Sequence, residues 1–286
     1  MLRAKLFVLV GALLFSTGGV AIKLSAFSGW QVSCLRSGVA ALVLSIFLLR
    51  SGARWTWRTW IVAVPYAATF TLYALANKLT TAASTIFLQD TAPLYILLLG
   101  PVLLRERARS GDIVFMLALV VGLGLIFFAG GETSATAPNP RLGNILGVCS
   151  GLTWALTLLG LRWLGVRSQH SAEHPLTAVV AGCLLAGIVG AFFAFPLVDA
   201  RSVDWWIVGY LGVFQIALAY LFVTSGIRHL AALAASLLLL IEPVLTPIWA
   251  WLLLAETPPA LAIVGGFFVI AATFAYSVSH ETPAER

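Results

Sequence analysis

Ala92-Pro-Leu-Tyr-Ile-Leu-Leu-Leu-Gly-Pro-Val-Leu-Leu-Arg-Glu106 is an apolar run, and 150 residues later Glu242-Pro-Val-Leu-Thr-Pro-Ile-Trp-Ala-Trp-Leu-Leu-Leu-Ala-Glu256 follows the same plan. Both copies have proline at the second position, a leucine pair near the end and glutamate at the last position. Repetition at a fixed distance indicates a duplicated structural unit. We therefore predict two related halves, residues 1–131 and 141–286, joined by a loop at 132–140 in one domain overall.

Composition places both halves in a lipid bilayer. The 286 residues are 60% hydrophobic and 10% charged, with a mean hydropathy of +1.00, whereas a soluble domain has about 25% charged residues. A membrane-spanning helix needs about 20 apolar residues. The sequence thus predicts an all-α integral membrane protein with ten transmembrane helices, near residues 6–26, 30–49, 60–76, 82–104, 113–130, 142–164, 175–197, 205–226, 231–255 and 260–278.

The basic residues predict the orientation of these helices. One side of the ten-helix plan carries twelve of them: Arg3, Lys5, Arg50, Arg54, Arg58, Arg105, Arg107, Arg109, Arg162, Arg167, Arg228 and Arg286. The other side carries four: Lys23, Lys78, Arg141 and Arg201. Because cytoplasmic loops are enriched in lysine and arginine, we expect both termini in the cytoplasm. Five helices is an odd number, so the second half should be inverted relative to the first.

Other classes of protein are excluded by what the sequence lacks. The net charge of +6 comes from the membrane-flanking loops and not from a basic stripe, so we expect no nucleic-acid partner. The three cysteines lie in apolar segments and predict neither a disulfide framework nor a metal site. His170-Ser-Ala-Glu-His174 matches a zinc-protease pattern, but Pro175 follows at once in a short loop. Without Walker or G-x-S-x-G motifs, we expect no enzyme activity, no ATP hydrolysis and no cofactor.

Three ionisable residues fall inside predicted membrane segments, where charge is costly and usually functional. Arg36 lies in the second segment, while Asp90 and Glu242 precede Pro93 and Pro243 at nearly equivalent places in the two halves. Proline removes a backbone hydrogen bond and frees carbonyl groups nearby. Two carboxylates with loosened backbone suit an ammonium group and could carry a proton, and an arginine suits a carboxylate. The alternative is that these residues form internal salt bridges or extend to the nearer interface.

Aromatic and amide residues complete a possible binding cavity. Asn77 follows Tyr73 by four positions, so the two share one helix face. Trp154 lies in the middle of its segment, where its indole N–H needs a partner. As a set these residues suit a flat apolar side chain better than a sugar or phosphate, although each of them could instead serve packing. The predicted substrate-binding residues are Trp154, Tyr73, Asn77, Asp90, Tyr95, Glu242 and Trp249; Gln215 and Tyr220 are further candidates.

The doubled proline-to-glutamate motif, together with Trp30-Gln-Val-Ser-Cys-Leu-Arg36, resembles the drug/metabolite transporter superfamily, and most closely its EamA-type ten-helix exporters. This resemblance implies export of metabolites, often amino acids, from bacterial cells without nucleotide hydrolysis, in the inner membrane. It further suggests the aromatic and neutral amino-acid exporters. It also implies a structural role for Arg36. In those exporters an aromatic residue often precedes the fourth-helix proline, whereas this chain has Ala92.

Two classes of function follow. The first is a secondary transporter that exports amphipathic amino acids by alternating access, with lipophilic drugs or other metabolites such as a nucleobase as rival substrates. The second is a non-transporting membrane protein that senses a small molecule or assembles with a partner. Repeat symmetry and paired intramembrane carboxylates favour the first class.

Overall fold

The structure is a computed structural model. It describes residues 2–49, 54–103, 110–129, 133–168, 175–197, 200–227, 238–239 and 241–279. Throughout these ranges the chain is helical apart from its connections and an isolated bridge between Ser134 and Ala137. The all-helical class is therefore confirmed, whereas Glu106 and the motif at 170–174 lie outside the described residues.

The first half begins with α1 (Leu2–Ser16), α2 (Gly18–Leu24), α3 (Gly29–Leu49) and α4 (Trp57–Leu79). It continues with α5 (Ala82–Gln89), α6 (Ala92–Leu103) and α7 (Ser110–Phe128). Local signals explain the start of α5, where the Thr81 side chain accepts a hydrogen bond from the Ser84 backbone N–H at 3.1 Å. Such an N-cap satisfies a donor that the helix itself cannot pair.

The second half begins with α8 (Pro140–Ser168), α9 (Pro175–Ala194) and α10 (Ser202–Tyr210). A π-helical segment (Leu211–Leu218) leads directly into α11 (Ala219–Ile227), and α12 (Ile241–Leu254) and α13 (Ala260–Ser279) follow. Pro140 and Pro175 occupy the first positions of α8 and α9. Proline is favoured there because its missing N–H would have no partner in the helix.

Among the described residues, six apolar stretches are long enough to cross a membrane by length and composition: Leu2–Leu24, Gly29–Leu49, Trp57–Leu79, Pro140–Leu161, Pro175–Ala194 and Ser202–Val223. Large apolar side chains such as Phe192, Trp206 and Phe267 are at least 70% exposed on the helix surfaces. Exposure of this kind suits contact with lipid and not with water. The protein is therefore a multi-pass membrane protein.

In the part of the chain that the structure describes, three predicted segments are interrupted or change helix type. The first is interrupted at Thr17, the fourth is interrupted at Asp90 and Thr91, and the eighth passes through the π-helical segment. In hydrocarbon an interrupted helix must satisfy its freed backbone groups inside the protein or in a polar cavity. π-Helical turns are also frequent at functional sites. The interruptions therefore mark where the fold places its polar interior.

Hydrogen bonds and ion pairs draw five inter-helix connections together at one end of the molecule. We call this the tied end, and it consists of the connections α2–α3, α4–α5, α7–α8, α9–α10 and α12–α13. Three of the four basic residues predicted on the less basic side, Lys23, Lys78 and Arg201, make contacts there. Its hydrogen bonds include Lys78 Nζ to Ser25 O (2.5 Å), Arg201 Nη2 to Leu24 O (3.0 Å), Ala26 N to Asp204 Oδ1 (2.8 Å) and Asn139 N to Leu79 O (3.0 Å).

A buried ion pair forms the centre of the tied end. Lys23 Nζ lies 3.2 Å from Glu256 Oε2, and each side chain is only 3% exposed. Glu256 Oε1 also accepts a hydrogen bond of 2.5 Å from the backbone N–H of Ala82 at the start of α5. The Lys23 ammonium donates in addition to the carbonyl groups of Thr80 and Thr136. The Lys23–Glu256 pair therefore links α2, the start of α5, the α4–α5 and α7–α8 connections, and the end of α12.

Glu256→Ala is expected to lower the free energy of unfolding of the detergent-solubilised protein by about 3–5 kcal/mol, because Lys23 would stay buried without its partner. The melting temperature should fall accordingly. Lys23→Met in the same chain should recover most of the loss, since it removes the unpaired charge. Lys5→Met, at an exposed lysine of α1, is the control and should have little effect. Equal melting temperatures for Glu256→Ala and the double variant would contradict this account.

Candidate functional site

One face of α4 supplies the wall of the candidate site. Tyr66, Phe70, Tyr73 and Asn77 follow at spacings of four, three and four residues, which places them on a single helical face. All four are at most 9% exposed. Tyr73 and Asn77 belong to the predicted set, whereas Tyr66 and Phe70 were missed. The same helical spacing, extended towards the start of α4, is the sequence signal that could have identified them.

Three aromatic side chains, Tyr66, Phe70 and Tyr220, form what we call the aromatic wall. The rings of Tyr66 and Phe70 stack with centroids 4.5 Å apart, and Tyr220 of α11 lies 5.7 Å and 6.2 Å from them. Trp154 of α8 is half-buried and packs against the cluster that contains these rings. The wall thus joins α4 and α11, has Trp154 of α8 beside it, and offers flat apolar surface inside the protein.

Charged and polar side chains gather beside this wall in a group that we call the central polar cluster. Tyr73 lies within electrostatic range of Arg36 on α3 and of both Asp90 and Glu242. The carboxyl groups of Asp90 and Glu242 also interact with each other. The cluster consists of Arg36, Tyr73, Asn77, Asp90, Gln215 and Glu242. The two proline-associated carboxylates, separated by 152 positions in the chain, therefore lie in one place.

Several polar atoms of the central polar cluster are buried without a hydrogen-bond partner among the described residues. They are Nε and Nη1 of Arg36, the Tyr73 hydroxyl, Asn77 Oδ1, Asp90 Oδ2 and Gln215 Oε1. The Tyr73 hydroxyl approaches the Asn77 amide without forming a hydrogen bond of normal geometry. A buried polar group without a partner costs about 1–3 kcal/mol. Such a concentration of unsatisfied groups suits a site that binds a polar ligand.

The interruption between α1 and α2 borders the same region. A Cβ atom added to Gly18 would lie 2.7 Å from Gln215 Nε2, and one added to Gly19 would lie 3.0 Å from Asn77 Oδ1. The two amides therefore approach the backbone closely, and glycine allows this approach. Thr17 Oγ1, at the interruption itself, lies 2.9 Å from the Tyr210 hydroxyl. Gln215 reaches this place from the π-helical segment.

Two other predicted residues contact different parts of the molecule. Trp249 Nε1 donates to Ser16 Oγ at 3.1 Å, at the end of α1. Tyr95, on the first turns of α6, lies near Thr91 and near Cys149 of α8. The structure thus brings Tyr73, Asn77, Asp90 and Glu242 together, places Trp154 at the neighbouring aromatic wall, and gives Trp249 and Tyr95 separate surroundings.

Within the ranges that the structure describes, no three histidine, cysteine, aspartate or glutamate residues are grouped closely enough to hold an ion. Cys34, Cys149 and Cys183 are free thiols there.

Comparison with known proteins identifies the family. The model of the EamA-like transporter family matches residues 2–128 and again residues 141–278. The chain belongs to the EamA-like transporter family. Both matches together span almost the entire sequence, so this EamA-type chain is a membrane transporter of the drug/metabolite transporter superfamily.

Relatives of this EamA-type transporter are themselves described as uncharacterized transporters. One from Archaeoglobus fulgidus is 27% identical over 265 residues, which cover 92% of each chain. The transporter YetK of Bacillus subtilis is 26% identical over 212 residues, covering 71% of this chain and 62% of the relative. A solved crystal structure with 19% identity covers 98% of this chain and 99% of its own, with a TM-score of 0.64. That structure shares the fold.

Tyr73→Phe tests whether the central polar cluster binds substrate. The hydroxyl it removes forms no normal hydrogen bond with a described residue, so the melting temperature should not fall. Transport should decrease roughly two- to tenfold, because the substrate would lose one hydrogen bond worth about 0.5–1.5 kcal/mol. Tyr66→Phe is the matched control, because the Tyr66 hydroxyl interacts with Cys183 and Tyr220, and it should lose stability. Unchanged transport by Tyr73→Phe would mean that its hydroxyl does not contact substrate.

Proposed function

We propose that this chain is a secondary transporter that exports amino acids, chiefly aromatic and other neutral ones, by alternating access. The single observation that carries this proposal is the position of the central polar cluster beside the aromatic wall. The cluster contains both signs of charge, which a zwitterion requires. The wall offers the flat apolar surface that an aromatic side chain requires.

The proposed roles divide the site into a polar and an apolar part. Asp90 and Glu242, together with Tyr73 and Asn77, would hold the ammonium group of the substrate. Trp154 and the aromatic wall would enclose its side chain. Tyr95 and Trp249 would line the path on either side of this position. Either carboxylate could also carry a proton that couples transport to the proton gradient.

We further propose ten transmembrane helices arranged as two inverted five-helix halves. The twofold match of the family model supports the duplication, and the odd number of helices in each half requires the inversion. The tied end collects five connections, as a ten-helix path predicts for one side of the membrane. The basic-residue count would place this end outside the cytoplasm, with both termini inside, in the inner membrane of a bacterium.

The tied end also fits an alternating-access cycle. A transporter of this kind opens its central site to one side while the other side is closed. With the five connections held together, substrate would enter the site from the opposite, cytoplasmic end. Export would then require the ion pair of Lys23 and Glu256 to open.

Reconstitution of the purified protein into ATP-free liposomes tests the proposed function. Labelled phenylalanine should move down its own gradient or in response to an imposed proton gradient, because the chain has no nucleotide-binding motif. Empty liposomes are the control. A strict requirement for ATP would contradict secondary transport. Movement of lipophilic drugs or nucleobases in place of amino acids would favour the rival substrates, and no movement of any substrate would favour a sensor.

Trp154→Ala should shift the substrate preference of the transporter. The substitution removes aromatic surface beside the wall, which is worth about 0.5–1.5 kcal/mol for an aromatic pair beyond simple burial. Transport of phenylalanine should therefore fall roughly two- to tenfold more than transport of alanine. Trp60→Ala, at an exposed tryptophan near the start of α4, is the control and should leave the ratio unchanged. Wild-type relative rates in Trp154→Ala would show that Trp154 only packs.

A further inference from the structure

We propose that Arg36 binds the carboxylate of the transported substrate and is the residue by which the chain distinguishes amino acids from amines and amides. This inference rests on the proposed function and assigns a specificity-determining residue to the same site. It replaces the structural role that family resemblance implies for Arg36.

The burial of Arg36 is the first observation behind this proposal. Its side chain lies on α3 and is 0% exposed, which makes it the largest fully buried side chain in the described part of the chain. A charged group inside a membrane protein is costly, and it is normally paired or functional. Arginine keeps its charge under these conditions, since its guanidinium does not lose its proton in proteins.

The contacts of the guanidinium leave it largely unsatisfied. Nη2 donates to the Phe70 carbonyl at 2.6 Å, and the guanidinium carbon lies 5.3 Å from the centre of the Phe70 ring. Nε and Nη1 donate to no described residue, and no described carboxylate forms an ion pair with Arg36. A structural arginine would be expected to have these donors paired. Here two of its three nitrogens are available to an anionic ligand.

Phe70, a member of the aromatic wall, contacts the charged guanidinium of Arg36. The same residue accepts a hydrogen bond from Arg36 through its carbonyl and stacks on Tyr66 through its ring. A carboxylate held by Arg36 would therefore have its neighbouring side chain beside the wall. This arrangement fits a molecule in which a carboxylate and an aromatic group are attached to adjacent atoms, as in phenylalanine.

The acceptor atoms of the central polar cluster would bind the ammonium group, which is the positive charge of the substrate. Arg36 offers unpaired donors, whereas Asn77 Oδ1, Asp90 Oδ2 and Gln215 Oε1 are acceptors without a partner among the described residues. Tyr73 lies within electrostatic range of both Arg36 and the two carboxylates. The cluster is thus divided into a donor side and an acceptor side. A zwitterion satisfies both sides at once, whereas a simple amine offers the guanidinium no acceptor and an amide offers it a carbonyl oxygen without negative charge.

The test compares phenylalanine with phenylalanine amide and phenethylamine, which lack the carboxylate. In proteoliposomes containing the wild-type chain, unlabelled phenylalanine should compete with labelled phenylalanine at least about tenfold better than either analogue, the scale of a charge-assisted hydrogen bond. Arg36→Gln should abolish this preference, because glutamine can still donate to the Phe70 carbonyl but carries no charge. Arg36→Lys, which keeps the charge without the planar guanidinium, should retain part of it.

Arg3→Gln is the matched control, since Arg3 is exposed on α1, and it should keep the wild-type preference. If Arg36→Gln discriminates as well as the wild type, Arg36 does not bind the carboxylate and the proposal is wrong. Should Arg36→Gln fail to insert or fold, the wild-type competition alone decides: equal competition by phenylalanine and its amide overturns the proposal. A wild-type chain that transports no amino acid at all would instead contradict the proposed function.

Discussion

A backbone or side-chain polar group without a partner in the hydrocarbon core costs several kcal/mol, and this constraint organises the whole molecule. It favours helices for crossing the bilayer, because a helix pairs its own backbone groups, and it confines their interruptions to places where other polar groups are near. The interruptions at Thr17 and at Asp90, and the π-helical segment that carries Gln215, obey this rule. They border one interior region, so the irregular backbone and the buried charges belong to the same feature of the fold.

The same constraint explains why the two buried sets of charges differ. At the tied end, Lys23 and Glu256 form an ion pair, and each also has hydrogen bonds to backbone groups. This pairing stabilises a closed arrangement of connections. In the central polar cluster, Arg36 and Asp90 keep unpaired atoms among the described residues. Paired charge at the tied end and unpaired polar atoms in the central polar cluster fit the proposed closed exit and the proposed substrate-binding site.

The doubled motif contributes to both the central polar cluster and the tied end. Its proline-associated carboxylates, Asp90 and Glu242, converge in the interior, while its second terminal glutamate, Glu256, caps α5 and pairs with Lys23. A short apolar motif therefore serves both the site and the closure of the molecule. In the proposed alternating-access cycle these two places would be coupled, because α12 carries Glu242 at its start and leads to Glu256 just beyond its end.

Hydropathy, repetition and family motif were sufficient to predict the all-helical membrane class, the family and the convergence of Asp90 with Glu242, because these follow from local composition and from the symmetry of a duplication. The shared helix face of Tyr73 and Asn77 was predictable for a similar reason, since residues four apart lie on one face. Pairings across the chain were not predictable. Whether Arg36 meets a carboxylate, or Lys23 meets Glu256 more than 230 positions away, depends on how separate helices pack. Only the tertiary structure decides that, because the free energy of a buried charge depends on the groups that surround it in space and not on its neighbours in sequence.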